Sequence, residues 1–576
     1  MKEKILLPLR RFPCFVLFMY LLGLICLMIV HQGGRHVSVF ELLVDVYVLT
    51  LFLSLLPKKI ALWTKRVFYV IAYSLALVDM FCYCRLGAPI SAALLRICLE
   101  TNQREATEAL SSYLTLSAIS FPVILILLLM VSHIYVSWRK VNIRISTFGW
   151  AGICVLMFSA IDCAKNKVFI IRNLTEPKTS LEYEYASEIP HSGGFYLPFY
   201  RLLYAWKGVS LERDTYRKLE RQTENVSIDS CTFRSPDIVL IIGEAYSKHH
   251  CQLYGYGKAT TPRQMQMKQD GSLVAFTDVV SPFHQTSMVF RLAFSLYAYG
   301  QQGDWMDYPL FPQLFRKAGY QVTFLTNQFV PSPTLDIFDF CGSAFVNAPK
   351  LSESMFNHRN QHSHTYDLGL LEEYDSLSAY RQEHNLTIFH LLGQHTGYAD
   401  RHPESLNRFQ PSDYHRPELS DDDLYELAHY DNACLYNDQV VTEIVNRYQD
   451  KEAIIIYMPD HGEMCFDGSL TFGRTLSVNT PNEVYQQFEI PFWIWTSPDF
   501  RKNHPDIVKQ VIKAKDRPFM TDDIPQLLLY LAGISTPFYL EEANIISPNY
   551  HCTRKRMLMG TIDYDKIIKT MKLIEK

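Results

Sequence analysis

Three short apolar runs each end in residues that can bind a metal or move a proton. Asp237–Ile242 is followed by Gly243 and Glu244, Leu386–Leu392 by Gly393, Gln394 and His395, and Ala453–Met458 by Pro459, Asp460, His461, Gly462 and Glu463. Glutamate, aspartate and histidine are ordinary zinc ligands, and a catalytic zinc keeps one position open for a reacting group. A fourth segment, Ser281-Pro282-Phe283-His284-Gln285-Thr286-Ser287, precedes the helical run Met288–Leu296. A hydroxyl at a helix N-terminus sits where backbone N–H groups can hold a phosphate. A neutral hydroxyl is a weak nucleophile until a base or a metal activates it. A zinc held by Glu244, Asp460 and His461 would do so by coordinating Thr286. By residue type alone Thr286 and Ser287 remain rivals, and either also suits a plain helix N-cap. Any one strand end alone reads as a surface loop.

What turns separate ends into one site is the fold. From about residue 235, buried strands (Asp237–Ile242, Gln321–Thr326, Leu386–Leu392, Ala453–Met458, Pro491–Thr496) alternate with helical patterns (Phe311–Ala318, Leu424–Tyr448). That alternation predicts an α/β/α domain with a mostly parallel sheet. In such sheets ligands bind beyond the carboxyl ends of the strands, so the three ends should converge. The catalytic domain is expected over 234–576, after a connector over 164–233. That connector is rich in aromatics and charges, including Phe195, Tyr196, Tyr200 and Trp206, which suits a helix at a membrane surface.

The first 163 residues read as membrane. Five apolar runs, Phe12–Val30, Phe40–Leu56, Val67–Cys84, Leu114–Val136 and Ser146–Cys163, predict a five-helix transmembrane domain. Lys2, Lys4, Arg10 and Arg11, then Lys58, Lys59, Lys65 and Arg66, then Arg139, Lys140 and Arg144 mark the cytoplasmic side. Five spans then place everything after about residue 164 outside the cytoplasm. Glu41, Asp45 and Asp79 lie towards the outer ends of their spans, where water or headgroups reach. Over all 576 residues, 55 Lys and Arg stand against 59 Asp and Glu, a net charge of −4. That excludes a generally basic nucleic-acid binder. With 48% hydrophobic residues the chain is not disordered. Six of the 13 cysteines follow Cys163, an even number that permits disulfides, and no CxxC pair argues for structural zinc.

The order of the motifs resembles the membrane phosphoethanolamine transferases of the Gram-negative inner membrane, in the alkaline-phosphatase/sulfatase-like superfamily. The likeness rests on Ile242-Gly243-Glu244, Leu253-Tyr254-Gly255-Tyr256, Thr261-Pro262, Gln285-Thr286-Ser287 and Phe294-Ser295. It continues through His390-Leu391-Leu392-Gly393-Gln394-His395, Tyr430-Asp431-Asn432, Tyr436, Asp438, Asp460-His461-Gly462-Glu463 and Pro491-Phe492. The resemblance implies that Glu244, Thr286, Asp460 and His461 hold zinc, with Thr286 as the nucleophile that carries phosphoethanolamine. It implies that His395, with His390 assisting, lies near the donor phosphate or a second zinc. Thr101 and Glu105 match an outer loop, Thr-x-x-x-Glu, that holds the ethanolamine head. The implied donor is phosphatidylethanolamine. The implied acceptor is a lipopolysaccharide lipid A, a core sugar or another envelope glycan. The implied location is the bacterial inner membrane, multi-pass, with the catalytic domain in the periplasm.

The chain also departs from the family. Pro282 and Leu292 stand where half-cystines often flank the nucleophile, and Ile97 where an Asn is common. Where a further His usually follows Asp-His-Gly-Glu, the sequence reads Thr471-Phe472-Gly473-Arg474-Thr475. Arg474 is expected to take over phosphate contact, since a guanidinium binds phosphate oxygens bidentately; the bland alternative is a surface arginine. One zinc site is expected and a second left open. The rival functions are a phosphoglycerol transferase of the same superfamily and a non-catalytic membrane sensor or scaffold.

Overall fold

A computed structural model describes residues 2–29, 39–86, 89–90, 95, 120–141, 150–175, 197–298, 301–328, 344–474, 478 and 480–574. The chain divides into two compact units, Met1–Asp214 and Thr215–Lys576.

The first unit is helical: α1 (Lys2–Arg11), α2 (Pro13–Ile29), α3 (Val39–Leu55), α4 (Lys58–Leu86), α5 (Phe121–Trp138), α6 (Trp150–Thr175) and the start of α7 (Pro198–Asn225). Phe15, Phe18, Leu22, Tyr69, Tyr73 and Ile126 join α2, α4 and α5 in one apolar cluster. Leu6, Leu42, Val46 and Ile153 join α1, α3 and α6 in another. The outward faces are apolar too, with Trp63, Val70, Phe121, Leu128, Trp150 and Ile161 all exposed. Water disfavours so large an apolar surface, and lipid accepts it. Among the described residues two helical stretches, Lys58–Cys84 and Phe121–Trp138, are long and apolar enough to cross a membrane. A third joins them if Ile5–Arg11 and Pro13–Ile29, bent by 87°, form one span. The sequence predicts five. Helix α3 falls short because it has only 17 residues. In α6, Asp162, Lys165 and Lys167 interrupt the apolar run.

Three acids of this unit, Glu41, Asp45 and Asp79, have protein partners. Lys167 Nζ lies 2.9 Å from Glu41 Oε1 and 2.8 Å from Asp45 Oδ1. Asn166 donates to Glu41 at 2.7 Å, and the Tyr200 hydroxyl to Asp45 at 2.9 Å. Asp79 is fully buried and takes Nε of Arg201 and the backbone N–H of Ile90, each at 3.0 Å. These acids thus have protein partners, buried for Asp79 and partly buried for Glu41 and Asp45, which lowers the cost of holding an internal charge.

The second unit is built on a seven-stranded sheet. Its strands are β1 (Asp237–Gly243), β2 (Leu273–Phe276), β3 (Gln321–Thr326), β4 (His358–Arg359), β5 (Asn385–His390), β6 (Ala453–Pro459) and β7 (Phe492–Thr496). The order across the sheet is β2-β7-β6-β1-β5-β3-β4. Only β7 runs against the rest, pairing antiparallel with β2 and β6. Every residue of β1 and β6 is buried, as expected for central strands covered on both faces. Alternate residues Val239, Ile241, Ile455, Tyr457, Trp493 and Trp495 share one core with Tyr430, Cys434 and Val441 of the long helix Asp421–Asn446. That helix starts at Ser420, whose side chain accepts from the N–H of Asp423, with three aspartates in the first turn. Such a cap satisfies an orphan N–H, and the acids suit the helix dipole. The predicted strand Leu386–Leu392 stops at His390. Leu391 still donates to Ile242, and beyond it the chain turns. Among the described residues the five cysteines of this unit form no disulfide.

Candidate active site

Three strand ends meet. Glu244 leaves β1 and Asp460 leaves β6, and these strands pair in parallel register, with Gly243 opposite Pro459. Ligand atoms of Glu244, Asp460 and His461 all lie within 4.8 Å of one another, and all three residues are buried. His461 Nε2 is 3.3 Å from Glu244 Oε1 and 3.3 Å from Asp460 Oδ2. The loop after β1 is strained to reach this arrangement. Ala245 has φ +51°. It is held there because its N–H donates to Asp460 Oδ1 at 3.0 Å and that of Tyr246 to the His461 carbonyl at 2.9 Å. Strain of this kind persists only where the surroundings over-determine the conformation. Gly462 is needed for close approach, since a Cβ there would lie 2.3 Å from the Gln486 carbonyl oxygen.

The fourth member comes from the helix Thr286–Phe294, where Thr286 is the first residue. Its hydroxyl donates to Glu244 at 3.2 Å from Oε2 and 3.4 Å from Oε1. Ser287 has no such partner among the bonds seen, so geometry separates two hydroxyls that the sequence leaves equal.

These residues fit a divalent cation. Asp460 Oδ2 is buried without a hydrogen-bond partner. Burial, then the nearby charge of Glu244, pushes the Asp460 carboxyl up to about 6. Burial pushes Glu463 up to about 8 and His461 down to about 4. His461 Nδ1 lies 2.7 Å from the Gly462 carbonyl, which fixes the proton there and makes Nε2 the acceptor, the atom that a metal would take in place of the Arg474 hydrogen bond. A metal ion would offset the clustered negative charge that burial otherwise penalises.

Arg474 belongs to the same site. Its Nη1 donates to His461 Nε2 at 2.9 Å and to the His284 carbonyl at 3.1 Å, with Nε 3.8 Å from Glu463 Oε2. His395 lies close enough to His461 and His390 to disfavour the charged form of each. His390 sits differently. It is fully buried against Phe290, ring centroids 4.5 Å apart, with Nδ1 3.0 Å from Thr326 Oγ1, and burial pushes it down to about 3. It is a neutral group behind the Thr286 helix. Thr101 and Glu105 lie outside the described residues.

Sequence reasoning missed Gln328. A fourth parallel strand, β3, ends in Thr326-Asn327-Gln328, and the rule that selected the other ends applies to it equally. Gln328 Nε2 donates to Glu244 Oε2 at 3.0 Å and to the Leu391 carbonyl at 2.8 Å. No ligand-type residue stands there to attract notice.

Comparison with known proteins agrees with this architecture. The sulfatase family profile matches residues 236–534. Phosphoethanolamine transferase EptC of Escherichia coli (strain K12) is 26% identical over 529 residues, covering 89% of this chain and 88% of the relative. The crystal structure of the C-terminal periplasmic domain of Escherichia coli EptC in complex with zinc is 25% identical, with a TM-score of 0.50. It covers 59% of this chain and 95% of that one. The integral membrane lipooligosaccharide phosphoethanolamine transferase A of Neisseria meningitidis shares the fold at 18% identity. Its TM-score is 0.52, and the match covers 94% of this chain and 97% of that one. These matches bear out the resemblance seen in the motifs. With its sheet, its strand-end ligands and a family match spanning more than half its length, the chain belongs to the sulfatase family, among relatives named phosphoethanolamine transferases.

Proposed function

We propose that this protein transfers phosphoethanolamine from phosphatidylethanolamine to a cell-envelope acceptor, lipopolysaccharide lipid A or a core sugar, through covalent attachment to Thr286. The observation that carries it is the Thr286 hydroxyl set against Glu244, beside Asp460 and His461, in a chain similar over 89% of its length to a named phosphoethanolamine transferase.

In the first step Thr286 Oγ1 forms a bond to phosphorus while the phosphorus bond to the diacylglycerol oxygen breaks. The hydroxyl proton moves to Glu244 Oε2, its acceptor, and is passed on to the diacylglycerol oxygen as that oxygen leaves. Arg474 holds phosphoryl oxygens with a charge-assisted fork. In the second step an acceptor oxygen displaces Thr286 and its proton returns the threonine to the hydroxyl form. Glu244, Thr286, Asp460 and His461 would hold zinc, which lowers the hydroxyl pKa and neutralises phosphoryl charge when bound. His395 lies near the donor phosphate.

The first unit anchors the enzyme beside a lipid that does not leave the bilayer readily. Five helices span, with the catalytic unit in the periplasm of a bacterial inner membrane. Lys167, one of the charges that interrupt the apolar run of α6, pairs with Glu41 and Asp45 of α3, which supports their shared insertion.

The test is intact-protein mass spectrometry of the full chain after incubation with phosphatidylethanolamine vesicles and zinc, with Thr286→Ala alongside. A phosphoethanolamine adduct on wild type alone is the expected result. An adduct formed only from phosphatidylglycerol vesicles would move the assignment to phosphoglycerol transfer. Neither an adduct nor released diacylglycerol from folded, zinc-loaded protein would overturn both.

A further inference from the structure

The Glu244 carboxylate is gripped from a direction that its role as a ligand does not explain. Gln328 Nε2 lies 3.0 Å from Oε2 and 2.8 Å from the Leu391 carbonyl. Both partners are acceptors, so the orientation of the amide is settled by chemistry: only its NH2 group satisfies them together. The other carboxylate oxygen, Oε1, is the one 3.3 Å from His461 Nε2.

The backbone around this contact is equally constrained. Asn327 donates through its N–H to His390 at 2.9 Å, continuing the β3–β5 ladder by one residue. Its side chain donates to Asp367 Oδ1 at 2.9 Å. The buried Asp367 carboxylate also accepts from the N–H groups of Leu392 at 2.8 Å and Gly393 at 2.9 Å. Gly393, at φ +50°, abuts the backbone of Glu244, and Gln394 donates to the Glu244 carbonyl at 3.2 Å. The ends of β3 and β5 thus hold Glu244 by main chain and side chain together.

We propose that Gln328 is a positioning residue for the metal: its amide ties down Glu244 Oε2 and leaves Oε1 turned towards Asp460 and His461. This rests on the reading that Glu244 holds zinc. A carboxylate on two single bonds otherwise samples several rotamers, and fixing one before the metal arrives reduces the entropy lost on binding. A neutral amide does this without adding charge to a buried acidic cluster. Partners that orient metal ligands commonly change metal affinity by about 10–100-fold when removed.

The experiment measures zinc affinity of the full chain in detergent by competition with a chelator, for wild type and Gln328→Met. Methionine keeps most of the volume and removes the amide. Melting of the zinc-free proteins is recorded beside it. The expected result is zinc binding weaker by about 10–100-fold with an unchanged zinc-free melting temperature. Equal affinities would overturn the proposal. So would a loss of affinity accompanied by a matching fall in zinc-free melting, which would make Gln328 a brace between loops and nothing more. Gln328→Asn, whose amide is one methylene too short to reach Oε2, carries the same expectations if the methionine variant does not fold. A wild type that takes up no zinc would overturn the proposal together with the zinc reading. Equal uptake by wild type and variant overturns the positioning role alone.

Discussion

Thr286 donates to Glu244, 3.2 Å from Oε2 and 3.4 Å from Oε1, although the two residues lie 42 positions apart. One begins a helix and the other directly follows a strand. The contact places a hydroxyl beside a carboxylate that can draw its proton, at a helix N-terminus suited to phosphate. Thr286→Ala is expected to lower transfer by at least about 1,000-fold, since losing a nucleophile removes the covalent route. Its melting temperature should stay close to wild type. Thr286→Ser should retain partial activity and still form the adduct. Undiminished turnover in the alanine variant would remove Thr286 from the chemistry.

Arg474 touches His461 and the peptide that leads to Thr286. Arg474→Ala is expected to reduce kcat/KM on the order of 100-fold, the usual scale for losing a charged donor at a transition state. Arg474→Lys should recover only part of this, because an ammonium cannot present the planar fork. Kinetics within about twofold of wild type for both would leave Arg474 as an ordinary surface arginine.

Gly393 takes φ +50°, and a Cβ on it would stand 2.9 Å from the Glu244 nitrogen and 3.0 Å from its carbonyl oxygen. Gly393→Ala must either shift Glu244 or strain its own backbone, at roughly 1–3 kcal/mol. Both zinc affinity and melting temperature should fall. A variant that melts like wild type and binds zinc as tightly would show that the loop has room the geometry denies it.

His250 supplies a pH test away from the metal cluster. Burial disfavours its charged form, but Asp431 at 2.7 Å from Nδ1 and Asp467 at 3.2 Å from Nε2 outweigh that and raise it from 6.5 to about 9. A folded-state pKa above the unfolded value stabilises fully below the unfolded pKa. That contribution is lost as pH rises from about 6.5 through about 9. Melting temperature should therefore decline over this window in wild type more steeply than in His250→Gln. Parallel curves for the two would show that His250 is neutral in the folded protein.

Much of the second unit is legible in local pattern. Gln321–Thr326 and Phe311–Ala318 occupy the ranges that their apolar runs predict, because buried central strands and amphipathic helices leave periodic signatures. Glu244, His395, Asp460 and His461 are found by looking one step past those strands. The choice of Thr286 over Ser287 depends on where the helix faces, which no local pattern records. Gln328 escapes for the same reason: an amide after a strand is unremarkable until its carboxylate partner, 84 residues away in sequence, is brought within 3.0 Å. The pairing of Glu41 and Asp45 with Lys167, and of Asp79 with Arg201, is likewise invisible along the chain. Sequence alone determines which segments are buried and which residues follow them, since burial period and turn chemistry are short-range properties. Strand order, the reversed β7 and the partners of each polar group are decided only by the tertiary fold, because parallel neighbours are joined through long crossovers whose length carries no record of where they return.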